Sequence, residues 1–272
     1  VIRVGTSGWV YPPWRKTFYP EGLAQRRELE YLSRHLNSVE LNGSFYALQK
    51  PASYLKWAEQ TPDDFVFSVK GPRFITHMKR LVGVAEPLAT FLASGVLALG
   101  PKLGPILWQL PPNLPFDAAA LADFAKLLPR TTAAAASMSE GHSDHIAGRA
   151  WTTTDADRPL RHALEVRHPS FMDPTLPELL RELDIALVLA DSAGKFPVID
   201  EVTTDFFYAR LHGDQELYTS GYTDEALDAW AVRFRERAQG RDVYVYFDND
   251  AKVRAPYDAR GLLDRLNPGG LG

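Results

Sequence analysis

The chemistry-bearing residues of this chain recur at every second position inside short apolar runs. Glu40 and Asn42 alternate with Val39 and Leu41, and Ser68 and Lys70 alternate with Phe67 and Val69. Glu165 and Arg167 alternate with Leu164 and Val166. Tyr208, Arg210 and His212 alternate with Phe207, Ala209 and Leu211, and Tyr244, Tyr246 and Asp248 with Val243, Val245 and Phe247. Gln109 and Asp191 end two further runs, and Arg3 stands early in the first. Lys70, Arg167 and Arg210 are the residue types that hold an anion, arginine by planar two-point contact. Glu40 or Glu165 beside them would act as general base, and His212 as acid or proton shuttle.

Alternation of period two is the signature of a strand with two unlike faces. Eight such runs occur: Ile2–Thr6, Ser38–Asn42, Phe65–Lys70, Ile106–Leu110, Ala163–Arg167, Ala186–Asp191, Phe207–His212 and Val243–Asp248. Helical patterns separate most of them, at Ala24–Leu36, Pro51–Gln60, Glu86–Leu99, Asp117–Leu128, Thr175–Leu183, Thr223–Gln239 and Pro256–Leu266. This rhythm predicts an α/β fold, a single (β/α)8 TIM-type barrel over residues 1–272. An open dinucleotide-binding sheet is disfavoured, because no Gly-x-Gly-x-x-Gly follows any strand. Residues 130–161 form an irregular excursion before strand five, with a short helix expected at Thr131–Met138.

In such a barrel the apolar faces meet the helices and the polar faces meet the axis. The axial set is then Arg3, Lys70, Arg167 and Arg210 against Glu40, Glu165, Asp191 and Asp248, gathered toward the C-terminal rim where barrel enzymes build their sites. Arg3, being early in its strand, is expected to pair with a carboxylate deeper in the barrel. Tyr208, Tyr244 and Tyr246 read as barrel filling with satisfied hydroxyls. A salt-bridge lattice is the purely structural alternative, but burial costs several kcal/mol per ion, and Val, Ile and Leu would stabilise as well. Replacing Glu165 or Arg210 is accordingly expected to leave the fold intact and abolish ligand binding or turnover.

The loops after the strands supply pocket walls: Trp9, Tyr11 and Trp14, then Phe45 and Tyr46, His77, His168, Tyr218 and Tyr222, and Asn249 with Asp250. Trp9, Tyr46, His77 and Asn249 join Asn42, Lys70, Gln109, Arg167 and Arg210 as expected substrate contacts. The turn Thr6-Ser7-Gly8 offers backbone N–H groups to an anion. His142 and His145 read as surface residues of the excursion.

Composition narrows the function classes. The 272 residues are 45% hydrophobic, 11% aromatic and 24% charged, which supports a packed core rather than disorder. No apolar run reaches about 18 residues, so no membrane span or membrane partner is expected. The N-terminus enters a strand pattern at once, with no secretory signal pattern. Cysteine is absent, which removes disulfides and thiolate metal sites and fits a reducing cytoplasm. A net charge of −4 disfavours a protein whose affinity comes from neutralising phosphates along a nucleic acid.

Seven motifs, in order along nearly the whole chain, resemble the YecE-like family, the domain of unknown function seventy-two. They are Val4-Gly5-Thr6-Ser7-Gly8-Trp9, Val39-Glu40-Leu41-Asn42 with Phe45-Tyr46, Phe67-Ser68-Val69-Lys70, Gln109-Leu110-Pro111, Glu165-Val166-Arg167-His168-Pro169, Tyr208-Ala209-Arg210-Leu211-His212-Gly213 and Tyr246-Phe247-Asp248-Asn249-Asp250. The resemblance implies a TIM-type barrel and a cytoplasmic protein, and no reaction. Arg130–Arg161 is longer than in compact members, and Asp248 stands where Asn is expected as readily.

Three readings follow. The first is an enzyme working by acid/base chemistry on a small anionic molecule, phosphorylated or carboxylated and sugar-like, with no cofactor. The second is a metal-dependent isomerase, epimerase or hydrolase in which Glu165, Asp191, His212 and Asp248 hold Mg²⁺ or Mn²⁺. The third is non-catalytic binding of a nucleotide or single-stranded nucleic acid, with Trp9, Trp14 or Tyr46 stacking on bases. No oligomeric state is legible in the chain.

Overall fold

The computed structural model describes residues 1–267. Each of the eight alternating runs forms a strand, its ends shifted by at most three residues: β1 (Ile2–Thr6), β2 (Ser38–Leu41), β3 (Val66–Lys70), β4 (Leu103–Gln109), β5 (His162–Glu165), β6 (Ala186–Asp191), β7 (Phe206–Leu211) and β8 (Asp242–Phe247). All neighbours pair in parallel, in the order β1-β8-β7-β6-β5-β4-β3-β2. The sheet is thus the nearly closed barrel expected from the sequence.

Closure between β1 and β2 uses a side chain in place of a regular ladder. Val4 N–H donates to Asn37 Oδ1 (2.7 Å), and Asn37 Nδ2 donates to the Ile2 carbonyl (3.1 Å). Above this seam Gly8 N–H donates to the Glu40 carbonyl (2.8 Å). Gly5 lies flat against the Ser38 carbonyl, where a Cβ has no room.

Helices cover the outside: α1 (Glu28–Leu32), α2 (Gly43–Tyr46), α3 (Pro51–Glu59), α4 (Ala85–Ala93), α5 (Ala118–Leu127), α6 (Thr132–Ser139), α7 (Thr175–Glu182), α8 (Asp224–Arg237) and α9 (Ala255–Leu266). Asp117, Thr131 and Thr223 cap α5, α6 and α8 by accepting from the N–H three residues on. Two expected helices are shorter than their patterns. The first is replaced over Gln25–Arg27 by a 3-10 turn, and the third stops before Gly95, whose φ of 120° ends α4. The short α2 and a π-helical turn at Phe74–Met78 carry no periodic signal and were not expected. The excursion is clipped at its base by Thr132 N–H to Arg158 O (2.9 Å) and Leu160 N–H to Arg130 O (2.8 Å). It is tied to α4 by Ser143 N–H to Thr90 Oγ1 (2.9 Å).

The barrel interior is packed separately from the helix-facing core, by Leu107, Ala163, Val188, Phe206 and the three expected tyrosines. Their hydroxyls are satisfied: Tyr208 donates to Glu40 Oε2 (2.6 Å), Tyr246 pairs with Ser38 Oγ (2.7 Å), and Tyr244 accepts from Arg161 (3.3 Å). Arg3 departs from expectation. It donates to the Asp64 carbonyl (2.6 Å) at the N-terminal rim instead of pairing with a carboxylate inside, because its place low in the strand lets the long side chain reach that rim.

One buried histidine gives the fold a pH limit. His162 faces the helices, accepts from Trp108 Nε1 (3.1 Å) and donates through Nε2 to Pro129 O (2.8 Å). Burial lowers its pKa to about 4. Since the unfolded chain takes up this proton near pH 6.5 and the folded chain only near 4, stability falls as pH drops between those values. The loss reaches about 3 kcal/mol at most. Urea denaturation across pH 4–7 is expected to show it, and His162→Gln, which keeps an acceptor and a donor, is expected to flatten the curve.

Candidate functional site

Alternation along β2, β5 and β7 aims Glu40, Glu165 and Arg210 at the axis, where all three are fully buried. Arg210 is the hub. Its Nε and Nη2 hold Glu40 (3.1 and 2.8 Å), its Nη1 holds Glu165 (2.6 Å), and Nη2 also reaches Asp248 (3.0 Å). Glu40 is saturated, since Ser7 Oγ donates to Oε1 (2.9 Å) and Tyr208 to Oε2. Burial alone would raise Glu165, but Arg167 and Arg210 overcome it and hold the carboxyl well below its usual range. Burial also opposes ionisation of Asp248, and Arg210 with His212 again prevails, lowering it. Because both are buried and ion-paired, replacing Arg210 or Glu165 is expected to cost stability as well as site geometry.

One layer nearer the rim the cations are less matched. Lys70 Nζ donates to Gln109 Oε1 (2.7 Å), its one hydrogen-bond partner among the described residues, and rests 4.2 Å from the Phe45 ring centre. Arg167 spends Nε on Glu165 (2.8 Å) and shares Gln109 Oε1 through Nη2 (3.1 Å). Its guanidinium lies between Phe196 (4.4 Å to the ring centre) and the Tyr218 hydroxyl (3.3 Å). Arg210 Nη1 approaches Gln109 Oε1 at 3.5 Å, so one neutral amide oxygen receives three cations. Burial, reinforced by Arg210, lowers Lys70 to about 8. His77, against the edge of Phe45, is lowered to about 4 by burial and by Lys70 and Arg167.

His212 is fully buried at the end of β7. Its Nδ1 lies 3.1 Å from Asp248 Oδ2; a carboxylate there accepts, so Nδ1 is assigned the proton. Nε2 is then an acceptor, 3.7 Å from Glu165 Oε1 and without a hydrogen-bond partner among the described residues. Tyr218 covers the ring edge-on at 5.4 Å. Two strands round the rim, after β1, Tyr11 donates to the Ser7 carbonyl. Near it Asp250 is raised to about 6 by burial and by the charge of Asp248.

The structure brings Glu40, Lys70, Gln109, Glu165, Arg167, Arg210, His212 and Asp248 together, with His77 at the edge. Asn42 directly follows β2, its Oδ1 buried and without a hydrogen-bond partner among the described residues. Other expected contacts lie elsewhere. Trp9 packs in the core against Trp57 (5.4 Å), and Trp14 is buried among Tyr11, Phe18 and Tyr19, so neither offers a stacking face. Asn249 is buried behind the rim, donating to Asp258 (2.7 Å) and the Ser220 carbonyl (2.9 Å), where it straps two loops together. Tyr46 is 71% exposed, beyond Phe45. The N–H groups of Ser7 and Gly8 are spent on the Phe247, Thr6 and Glu40 carbonyls, which removes the expected backbone anion nest.

The expected metal set does not fit a divalent cation. Asp191 turns to the Tyr222 hydroxyl (2.7 Å), and Glu165 and Asp248 are engaged by guanidinium groups. Among the described residues no three His, Cys, Asp or Glu side chains converge as a cage.

Two contributors were missed, the Ser7 side chain and Phe196. Ser7 continues the parity of Arg3 and Gly5 one step past β1, so alternation alone would have placed it inward. Phe196 arrives on an irregular loop and leaves no periodic trace, whereas Tyr218, expected as a pocket wall, does reach Arg167.

The family model described as protein of unknown function DUF72 matches residues 3–270. The UPF0759 protein YecE of Escherichia coli K12 is 36% identical over 130 residues, a match spanning 47% of this chain and 45%, under half, of that relative. YunF of Bacillus subtilis 168 is 24% identical over 98% of this chain and 95% of its own. The crystal structure of a DUF72 family protein from Thermotoga maritima superposes with a TM-score of 0.76 at 26% identity, covering 98% of this chain and 99% of that one. Among the described residues no helix is long and apolar enough to cross a membrane.

Proposed function

The chain belongs to the DUF72 family, and we propose that its barrel mouth is an enzyme site for proton transfer on a small anionic substrate. One observation carries this reading. Lys70 and Arg167 converge on a single neutral acceptor, Gln109 Oε1, beside a buried imidazole nitrogen that has no hydrogen-bond partner among the described residues. Cations that share one neutral amide oxygen leave positive potential for an incoming carboxylate or phosphate oxygen. His212, oriented by Asp248, offers Nε2 as the base, and Lys70 with Arg167 meets the charge that develops on substrate oxygen. Glu40 and Glu165 serve as the frame that holds Arg210, since Glu40 is saturated and Glu165 is too acidic to take a proton.

Calorimetric titration with inorganic phosphate tests the reading. Millimolar binding is expected in the wild type. A charge-assisted hydrogen bond is worth about 1.5–3 kcal/mol, so Lys70→Met is expected to weaken binding at least about tenfold. Sulfate, whose charge is constant, separates out the lysine. Its affinity is expected to fall as pH rises through about 8, where Lys70 loses its proton, and Lys70→Met is expected to remove that dependence. Binding unchanged in Lys70→Met, or absent in the wild type at tens of millimolar, would refute the assignment.

A further inference from the structure

Next to the cationic lip, and sharing Phe45 with it, lies a groove of about 590 Å³. That size suits a small-molecule site. Phe45 shows its ring to Lys70 and also lines the groove. Tyr46, Phe74 and Met78, which line it as well, are 71%, 42% and 62% exposed. Such a gathering of large apolar side chains is unusual on a surface not used for binding. Its ionisable lining includes Arg73 and Glu86, of opposite sign, so these two do not favour a charged occupant.

The backbone points the same way. Phe74–Met78 is a π-helical turn, a rare form concentrated at functional sites. One residue beyond it Arg80 (φ 52°) and Leu81 (φ 69°) are successive non-glycine residues in the left-handed region. Strain of this kind persists where the surroundings enforce it, and it clusters at ligand clamps. Ser143 and His145, from the excursion before β5, complete the far wall.

Resting on the anion reading above, we infer that the substrate is an amphipathic anion. Its carboxylate or phosphate sits on Lys70 and Arg167, and an alkyl or aryl tail crosses Phe45 into the groove beside Tyr46, Phe74 and Met78. A sugar hydroxyl placed there would lose its water without finding partners on the apolar walls, whereas a hydrocarbon gains by burial. This replaces the sugar-like substrate expected from the sequence with an apolar ester or acid.

The test compares methyl phosphate with hexyl phosphate, which share one headgroup, by calorimetry on the wild type, on Phe74→Ser/Met78→Ser and on Lys70→Met. Each buried methylene strengthens binding roughly fourfold, so hexyl phosphate is expected to bind at least about thirtyfold tighter than methyl phosphate even with partial burial. The groove variant, altered only at exposed positions, is expected to lose that gain and keep its affinity for methyl phosphate. Lys70→Met is expected to weaken both esters and keep the gain. Equal binding of the two esters, or a gain that survives Phe74→Ser/Met78→Ser, would overturn the groove assignment and leave the anion site standing. Failure of both esters to bind would bring down the anion reading itself.

Discussion

Arg210→Met is expected to lower the stability of the folded protein by about 3–5 kcal/mol, measured by urea denaturation at neutral pH. The guanidinium is fully buried and bridges Glu40, Glu165 and Asp248. Removing one partner of a buried pair leaves the other charge without water or counter-ion, and that costs about 3–5 kcal/mol. Of the three carboxylates that Arg210 serves, Glu40 alone is left with neither cation nor imidazole among the described residues, since Glu165 keeps Arg167 and Asp248 keeps His212, so the loss stays within this range. Against a typical total stability of roughly 5–15 kcal/mol, part of the population would unfold. Arg210→Lys keeps the charge but not the rigid fork, and an intermediate loss is expected. Adding Glu40→Gln to Arg210→Met removes one stranded charge and should recover part of the stability. A wild-type urea midpoint in Arg210→Met would show that the lattice contributes nothing. The same pairing sets an acid limit. Glu165 and Asp248 are held below their unfolded values, so their contribution is present at neutral pH and is lost as pH falls below about 4.

Gly5→Ala is expected to cost about 3 kcal/mol, read as a drop of roughly 6–12 °C in Tm by the scaling for chains of this size. A methyl on Gly5 would collide with the Ser38 carbonyl and the Val39 nitrogen, backbone atoms that cannot rotate away. Relief requires β1 to separate from β2 at the seam that Asn37 and the Gly8–Glu40 hydrogen bond hold closed. The site feels the same movement, because Ser7, two residues on, leaves its place on Glu40 Oε1. Faster amide exchange at Gly8 is the local signature. Gly148→Ala, where an added Cβ meets nothing within 4 Å, is the control and is expected to stay within about 0.5 kcal/mol of wild type. An unaltered Tm in Gly5→Ala would mean that the seam does not constrain the barrel.

The barrel and most of its axial residues were legible from the chain because strand geometry is local. A period of two assigns Glu40, Lys70, Glu165, Arg210 and Asp248 to one face wherever the neighbouring residues are apolar, and it does so before any partner is known. Parity gives direction and not depth, so Arg3 shared the inward pattern of the others while its side chain belongs to the opposite rim. Nor does parity reach into loops, where chain path alone sends Trp9 into the core, Asn249 behind the rim, and Phe196 with Tyr218 onto Arg167.

What the amino-acid sequence determined by itself was the fold and the list of charges facing the axis. Which charges neutralise one another was decided only in three dimensions. Pairing depends on barrel stagger and on atoms far apart in the chain, such as Arg210 against Glu40 and Glu165. Among the described residues that pairing leaves Lys70 with an amide for a partner and His212 with one nitrogen unpartnered, because electrostatic energy follows ångström-scale distance and burial and not order along the chain.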